Sequence, residues 1–199
     1  MDLTDISPES YIDVLAVLNK APTSLQPISH TEIHLFSYLG CVISLFKGNP
    51  INSWGYKFSI SSNGYPFSHN INEAIRNLFS RNYLIMDENG YYLKTKALIN
   101  EFHLMSQIKE SWPERISCIN TSLECALALP IGSIKSAIEQ SPGIDLKYKL
   151  NQRGELLEED DIGNLYNEYS VIREALGYDS IELLSPAVIW LSARIMKGV

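Results

Sequence analysis

Apolar positions along this chain follow two spacings, helical and alternating, and the switches between them mark the elements. Tyr11, Ile12, Val14, Leu15 and Leu18 form a broad helical stripe. Ser7 can cap that helix, and Pro8 suits its first turn, where a missing N–H costs nothing. The helix is expected to run to about Lys20 and stop before Pro22, and Ala21–Ile28, with two prolines, reads as a linker. Ser29-His30-Thr31-Glu32 then matches a capping box, in which the serine hydroxyl and the glutamate carboxylate each satisfy a free N–H of the first turn. Ile33, Phe36, Leu39, Ile43 and Phe46 continue at helical spacing until Gly48 and Pro50. This second helix is apolar around most of its circumference, so it is expected to be central. Gly40 in its middle leaves room for another element to approach.

Tyr56–Ile60 alternates and predicts a short strand, Asn63-Gly64 a turn, and Ser68 a helix cap. Ile71, Ala74, Ile75, Leu78 and Phe79 fall at i, i+3, i+4, i+7 and i+8, a one-faced helix from His69 to about Arg81. Two alternating runs follow, Tyr83–Met86 and Tyr91–Thr95. They are joined by Asp87-Glu88-Asn89-Gly90, whose Asn-Gly supplies the positive-φ positions of a tight hairpin. Long helix, strand, turn, helix, hairpin is the element order of a winged helix-turn-helix. Asn70–Leu78 takes the recognition-helix position and Glu88–Tyr92 the wing tip, although no diagnostic sequence motif accompanies the order.

Beyond Lys96 the pattern is helical over Ala97–Lys109, Pro113–Ala128, Ser133–Gln140, Asp160–Leu176 and Ser185–Met196. The exception is Ile144–Leu150, where Ile144, Leu146, Tyr148 and Leu150 alternate with charged residues as a strand would. With the helices before it and the turn Asn151-Gln152-Arg153-Gly154 after it, this segment fits a second, degenerate winged element. It could also be an edge strand awaiting a partner, though sequence proximity favours an internal hairpin with Leu156–Leu157 over that. The predicted fold class is thus mainly α with a minor β part. Residues 1–28 form an N-terminal helix and linker, 29–96 a winged helix-turn-helix, and 97–199 a helical C-terminal subdomain.

Charge qualifies what the winged unit can hold. The formal net charge is −7, with 7 basic and 8 acidic residues in 1–100 against 9 and 15 in 101–199. Phosphate neutralisation supplies most of the affinity for duplex DNA, so a near-neutral first half and an acidic second half argue against free-standing DNA binding. The side chains on offer are Asn70, Asn72, Arg76 and Asn77 for bases, and Arg81, Lys94 and Lys96 for phosphates. Glu73, Asp87 and Glu88 on the same surfaces would repel phosphate, and that balance favours a protein partner. In the last helix Val188, Ile189, Trp190 and Arg194 form a second candidate partner surface.

Candidate chemistry is sparse. His30 and His34 stand one helical turn apart, as a metal pair would, but with no third ligand nearby. The odd set Cys41, Cys118 and Cys125 lies in apolar helical surroundings, without a Cys-x-x-Cys pair, and reads as packing. The acidic run Glu158-Glu159-Asp160-Asp161 suits a helix N-terminus. No nucleophile elbow, phosphate-cradling glycine loop or dinucleotide motif is present, so neither an enzyme nor a cofactor is expected. The acidic start is no signal peptide, and the longest apolar run is too short and polar to span a bilayer, which predicts a cytoplasmic protein.

The blocks Ile33–Phe46, Trp54-Gly55-Tyr56, Gly64-Tyr65-Pro66-Phe67-Ser68, Ala74–Tyr83 and Leu184-Ser185-Pro186-Ala187-Val188-Ile189-Trp190-Leu191 resemble the middle components of three-component ABC-ATPase systems, as in Lamassu-type defence. The resemblance covers about two thirds of the chain and rests on packing and turn residues. A tandem winged reading is also similar to the kite-type subunits of bacterial condensins. What the resemblance implies is a non-enzymatic adaptor in anti-phage or anti-plasmid defence. Such an adaptor docks on an SMC-like ABC ATPase and holds an effector, often a nuclease, inactive until DNA is sensed. The rival reading is a winged-helix transcriptional regulator or antitoxin-like protein that binds DNA itself.

Overall fold

The computed structural model describes residues 6–141, 144, 147, 154–177 and 182–197. The chain is mainly helical with two small antiparallel sheets. Helix α1 (Pro8–Lys20) is capped by Ser7, whose hydroxyl accepts from the Ser10 N–H at 3.3 Å. Strand β1 (Ile28–Ser29) leads into α2 (His30–Phe46). The capping box is formed: the Glu32 N–H donates to the Ser29 hydroxyl at 3.3 Å and the Ser29 N–H to the Glu32 carboxylate at 2.9 Å.

Every residue of α2 from Ile33 to Phe46 is buried, as its all-round apolar pattern requires. Burying a Leu, Ile or Phe side chain this fully contributes about 1.5–3 kcal/mol. The neighbour with the most extensive contact is α5 (Trp112–Ala128). The two helices close together at Gly40, where a Cβ would lie 2.6 Å from Ile119 Cδ1. A glycine is needed there for proximity rather than for its dihedral freedom.

Strands β2 (Phe58–Ile60) and β3 (Pro66–Phe67) pair before α3 (His69–Ser80), which buries Ile71, Ala74, Ile75 and Leu78 on one face. Strands β4 (Leu84–Met86) and β5 (Tyr91–Lys94) form the expected hairpin, with Leu84 opposite Lys94, Ile85 opposite Leu93 and Met86 opposite Tyr92. The turn differs in detail from the expectation. Of its four residues only Gly90 has a positive φ, +80°. Asp87 organises the rest by accepting the N–H groups of Asn89 and Tyr91 on its carboxylate. A four-residue loop built this way needs one left-handed position, not the two of a two-residue turn. The segment read as linker ends in β1, which pairs with β5 through Ile28–Tyr92 and Ser29–Tyr91, so the first sheet has the order β1-β5-β4.

The remaining elements are α4 (Lys96–Met105), α6 (Ile131–Glu139), β6 (Glu155–Leu156), α7 (Glu159–Leu176) and α8 (Leu184–Lys197). The alternating segment Ile144–Leu150 requires a correction. Ile144 and Lys147 are helical, and its other residues lie outside those described. Ile144 is buried. The partner that the internal hairpin would have used is engaged elsewhere: Leu156 pairs with Phe58 and Glu155 with Ser59, giving the second sheet the order β3-β2-β6. The rest of the strand that a second winged element would need lies outside the described residues. One hydrophobic core runs through residues 1–28, 29–96 and 97–199 alike, with Leu15, Phe36 and Ile119 all fully buried in it. Among the described residues no helix is long and apolar enough to cross a membrane.

Candidate functional site

The surface formed by α3 and the hairpin after it holds most of the contact residues named from the sequence. Asn70 and Asn77 are half-buried on α3. Asn72 accepts or shares a proton with His30 Nε2 at 3.2 Å and donates to Glu73 at 3.3 Å. Arg76 is exposed, but its guanidinium donates to the same Glu73 carboxylate at 2.9 Å. Arg81 lies 3.9 Å from Glu101, donates to the Tyr11 hydroxyl at 3.4 Å and stacks on the Tyr83 ring. Lys94 donates to the Asn19 carbonyl at 3.1 Å. Lys96 is exposed at the start of α4. The helix and hairpin thus bring these cations near one another, and three of them already have partners within the chain.

What the surface shows to solvent instead is apolar. Phe79 at the end of α3 is 46% exposed, and in the hairpin Ile85 is 56%, Met86 51% and Leu93 41% exposed. Ile85 and Leu93 face each other across the hairpin, an exposed apolar pair of the kind that marks contact surfaces.

The last helix is arranged the other way. Trp190 is 1% exposed, T-stacked on Phe46, and its indole N–H donates to Glu168 at 2.9 Å. Arg194 is also buried, donating to Glu168 at 2.5 Å and to the Gln140 carbonyl. These two residues therefore hold α8 against α7 and α6 and present nothing outward. Of the four α8 residues proposed from the sequence, Ile189 is exposed and Val188 half-buried.

A buried polar group that the sequence reading passed over ties α1 to α5. Arg115 clasps Asp13 with two bonds, Nε to Oδ1 at 2.6 Å and Nη2 to Oδ2 at 2.7 Å, and the Tyr56 hydroxyl donates to Asp13 at 2.5 Å. The guanidinium also stacks on the Trp54 ring, 3.8 Å from its centroid. Burial works against the Arg115 charge, but the Asp13 carboxylate outweighs it and holds the guanidinium protonated. The available signal was Asp13 itself, a carboxylate set between Ile12 and Val14 in the apolar stripe of α1. Beside this group a cleft of about 220 Å3 opens between Trp54 and Trp112, with Glu9 and Glu114 at its sides. A second, of about 540 Å3, lies between β2, β6 and the start of α7.

His34 is buried, accepts the Ser68 N–H on Nδ1 at 3.2 Å and stacks on Phe67. Its pKa is pulled down to about 3 by burial and by the neighbouring His30. Ser68 stands at the cap position of α3, but it contributes this backbone bond rather than a side-chain cap. The cysteines are buried, and burial pushes the thiols of Cys118 and Cys125 up to about 11 and about 12. The acidic run opens α7, where Asp161 accepts the Glu158 N–H at 3.3 Å. Among the described residues no group of three or more His, Cys, Asp or Glu side chains is placed to hold a metal.

Comparison with models of protein families, with characterised proteins and with solved structures returns no match.

Proposed function

We propose that this chain is a non-enzymatic adaptor built on a winged helix-turn-helix. It would join an SMC-like ABC ATPase to an effector, a nuclease in the simplest case, in a prokaryotic defence complex. The winged reading draws support from connectivity: α1, β1, α2, α3, β4 and β5 follow one another, and β1 pairs with the second hairpin strand. The β2–β3 hairpin is then an insertion between α2 and α3. The ATPase and effector come from the sequence resemblance.

One observation carries the choice of protein over nucleic acid. At the recognition position the arginine that would meet a base is neutralised by Glu73, while Phe79 and the hairpin expose apolar side chains. Duplex DNA rewards the opposite arrangement, free cations and few apolar groups. Protein partners bury such side chains as anchors.

The test is co-expression with the ATPase and effector encoded beside the gene, followed by size-exclusion chromatography and a DNA mobility shift with the chain alone. A stable complex is expected, weakened about tenfold or more by Phe79→Asp, a change at an exposed site. Sequence-specific binding of duplex DNA by the isolated chain, lost on changing Arg76 or Asn72, would replace the adaptor with the regulator reading.

A further inference from the structure

The buried pair of Arg115 and Asp13 uses only part of the guanidinium. Asp13 takes the side edge, formed by Nε and Nη2. Nη1 has no acceptor among the described residues, yet it is not sealed from solvent as the unpartnered Nε of Arg194 is. The Arg115 side chain is 8% exposed and lines the cleft of about 220 Å3 between Trp54 and Trp112, so its end edge opens there. A guanidinium carries five N–H groups in a fixed fork. It can hold one carboxylate from the side and a second planar oxyanion from the end.

The rest of the cleft is arranged around that end. Ser111, Arg115 and Cys118 line it at i, i+4 and i+7, one face of the start of α5. Ser111 precedes the first turn without capping it through its side chain, and the turn's own N–H groups add positive potential. On the opposite wall Ser44 and Ser53 donate their hydroxyl protons to the Cys41 and Pro50 carbonyls. They are left as acceptors, so an oxyanion is turned away from them and toward Arg115. At the sides Glu9 is bonded to Lys109 at 2.6 Å, and Glu114 lies 3.7 Å from Lys47. Carboxylates paired in this way admit one incoming negative charge but penalise a second. We propose that the cleft binds a small monocarboxylate, with its oxygens on Arg115 Nη1 and the Ser111 hydroxyl and its apolar body toward the two tryptophans. The volume is below the roughly 300–1,000 Å3 of sites for drug-sized ligands, which limits the guest to a short chain or a single ring.

This site goes beyond the adaptor reading and does not rest on it, since none of its lining residues belongs to α3 or the hairpin. Isothermal titration of the full chain with sodium benzoate, benzyl alcohol and inorganic phosphate, at fixed ionic strength, tests it. Benzoate should bind saturably at one site per chain with a Kd of about 1 mM or below. Benzyl alcohol, which keeps the ring without the carboxylate, and phosphate, which carries a second charge, should each bind about tenfold or more weakly. Ser111→Tyr sets a ring at an exposed position on the rim of the cleft. It should weaken benzoate about tenfold or more while the circular dichroism spectrum and Tm stay as in the wild type. Arg115→Lys keeps a positive charge for Asp13 but has no second edge to offer, so it should weaken benzoate as much. If Arg115→Lys does not fold, Ser111→Tyr decides alone. The proposal is overturned by an absence of saturable benzoate binding, or by benzyl alcohol or phosphate bound as tightly as benzoate. Undiminished benzoate binding by Ser111→Tyr, or by a folded Arg115→Lys, overturns it equally.

Discussion

Exchanging Arg115 for methionine tests how α1 is held to α5. Methionine keeps the apolar stem and its packing, and removes the charge. Asp13 then loses its bonds at 2.6 and 2.7 Å and keeps only the Tyr56 hydroxyl at 2.5 Å. Its side chain is 1% exposed, so water cannot replace what is lost. Removing one member of a buried ion pair costs about 3–5 kcal/mol, most of it the desolvation of the charge left behind. That is a large part of the roughly 5–15 kcal/mol that holds a domain folded, and for a chain of this size it lowers Tm by about 6–20 °C. Urea unfolding followed by circular dichroism would show it as a shift in midpoint at constant slope. The double exchange Asp13→Leu with Arg115→Met removes both charges and leaves only the Tyr56 hydroxyl without its acceptor, at about 1–3 kcal/mol. It should therefore be more stable than Arg115→Met alone. Acidity adds a second signature. Burial already raises the folded pKa of Asp13 above its ordinary value against the pull of Arg115 and Tyr56, and removing Arg115 takes away the larger of those counter-pulls, so it rises further. The deficit of Arg115→Met against wild type should then narrow as pH falls from 7 towards 5. A loss below about 1 kcal/mol for Arg115→Met, or a double exchange costing the sum of both singles, would refute the reasoning.

Two further predictions concern single buried positions. His34 falls from an ordinary 6.5 to about 3 in the fold, so below pH 6.5 the unfolded chain takes a proton that the native one refuses. Its contribution to stability is complete above pH 6.5 and declines by about 1.4 kcal/mol per pH unit on acidification towards 3. His34→Gln should flatten the urea midpoint between pH 7 and 5, and identical slopes in variant and wild type would contradict this. Gly40→Ala puts a Cβ 2.6 Å from Ile119 Cδ1 and should cost about 1–3 kcal/mol by overpacking. Adding Ile119→Val deletes that methyl group, so thermal melts should place the double variant above Gly40→Ala; if the second change lowers Tm further, the close approach is not the cause.

Local signals gave the elements, and long-range pairings decided the rest. Ser29 with Glu32 announces the start of α2 because a capping box is completed within four residues. The one-faced spacing of Ile71 through Phe79 announces α3 for the same reason. The pairing of Ile28–Ser29 with Tyr91–Tyr92 could not be read from a proline-rich stretch, since two residues carry no periodicity. Alternation misled at Ile144, which is helical and buried, because a few alternating residues with no partner strand nearby in sequence fix neither period. At the candidate surface, identity was legible and engagement was not. Arg76 and Arg81 were visible as cations, but whether a cation is free depends on Glu73 one turn away in the first case and on Glu101, twenty residues on, in the second.

The same logic separates the two surfaces that the pattern of apolar residues had made look alike. Trp190 and Ile85 are both large apolar side chains, the first 1% and the second 56% exposed. What distinguishes them is the charge placed beside each. Glu168 on α7 accepts from both the Trp190 indole and Arg194. A carboxylate shared by two buried donors fixes α8 inward, since exposing Trp190 would strip Arg194 of its counter-charge as well. Beside Ile85 no such anchor is seen among the described residues: the charge nearest in sequence, Asp87, accepts the Asn89 and Tyr91 N–H groups of the turn. A side chain pinned by internal charge serves the fold, whereas an exposed apolar side chain without such an anchor is available to a partner. On that ground the exposed hairpin face of Ile85 and Leu93, and not Trp190, is where a partner of this chain should first be sought.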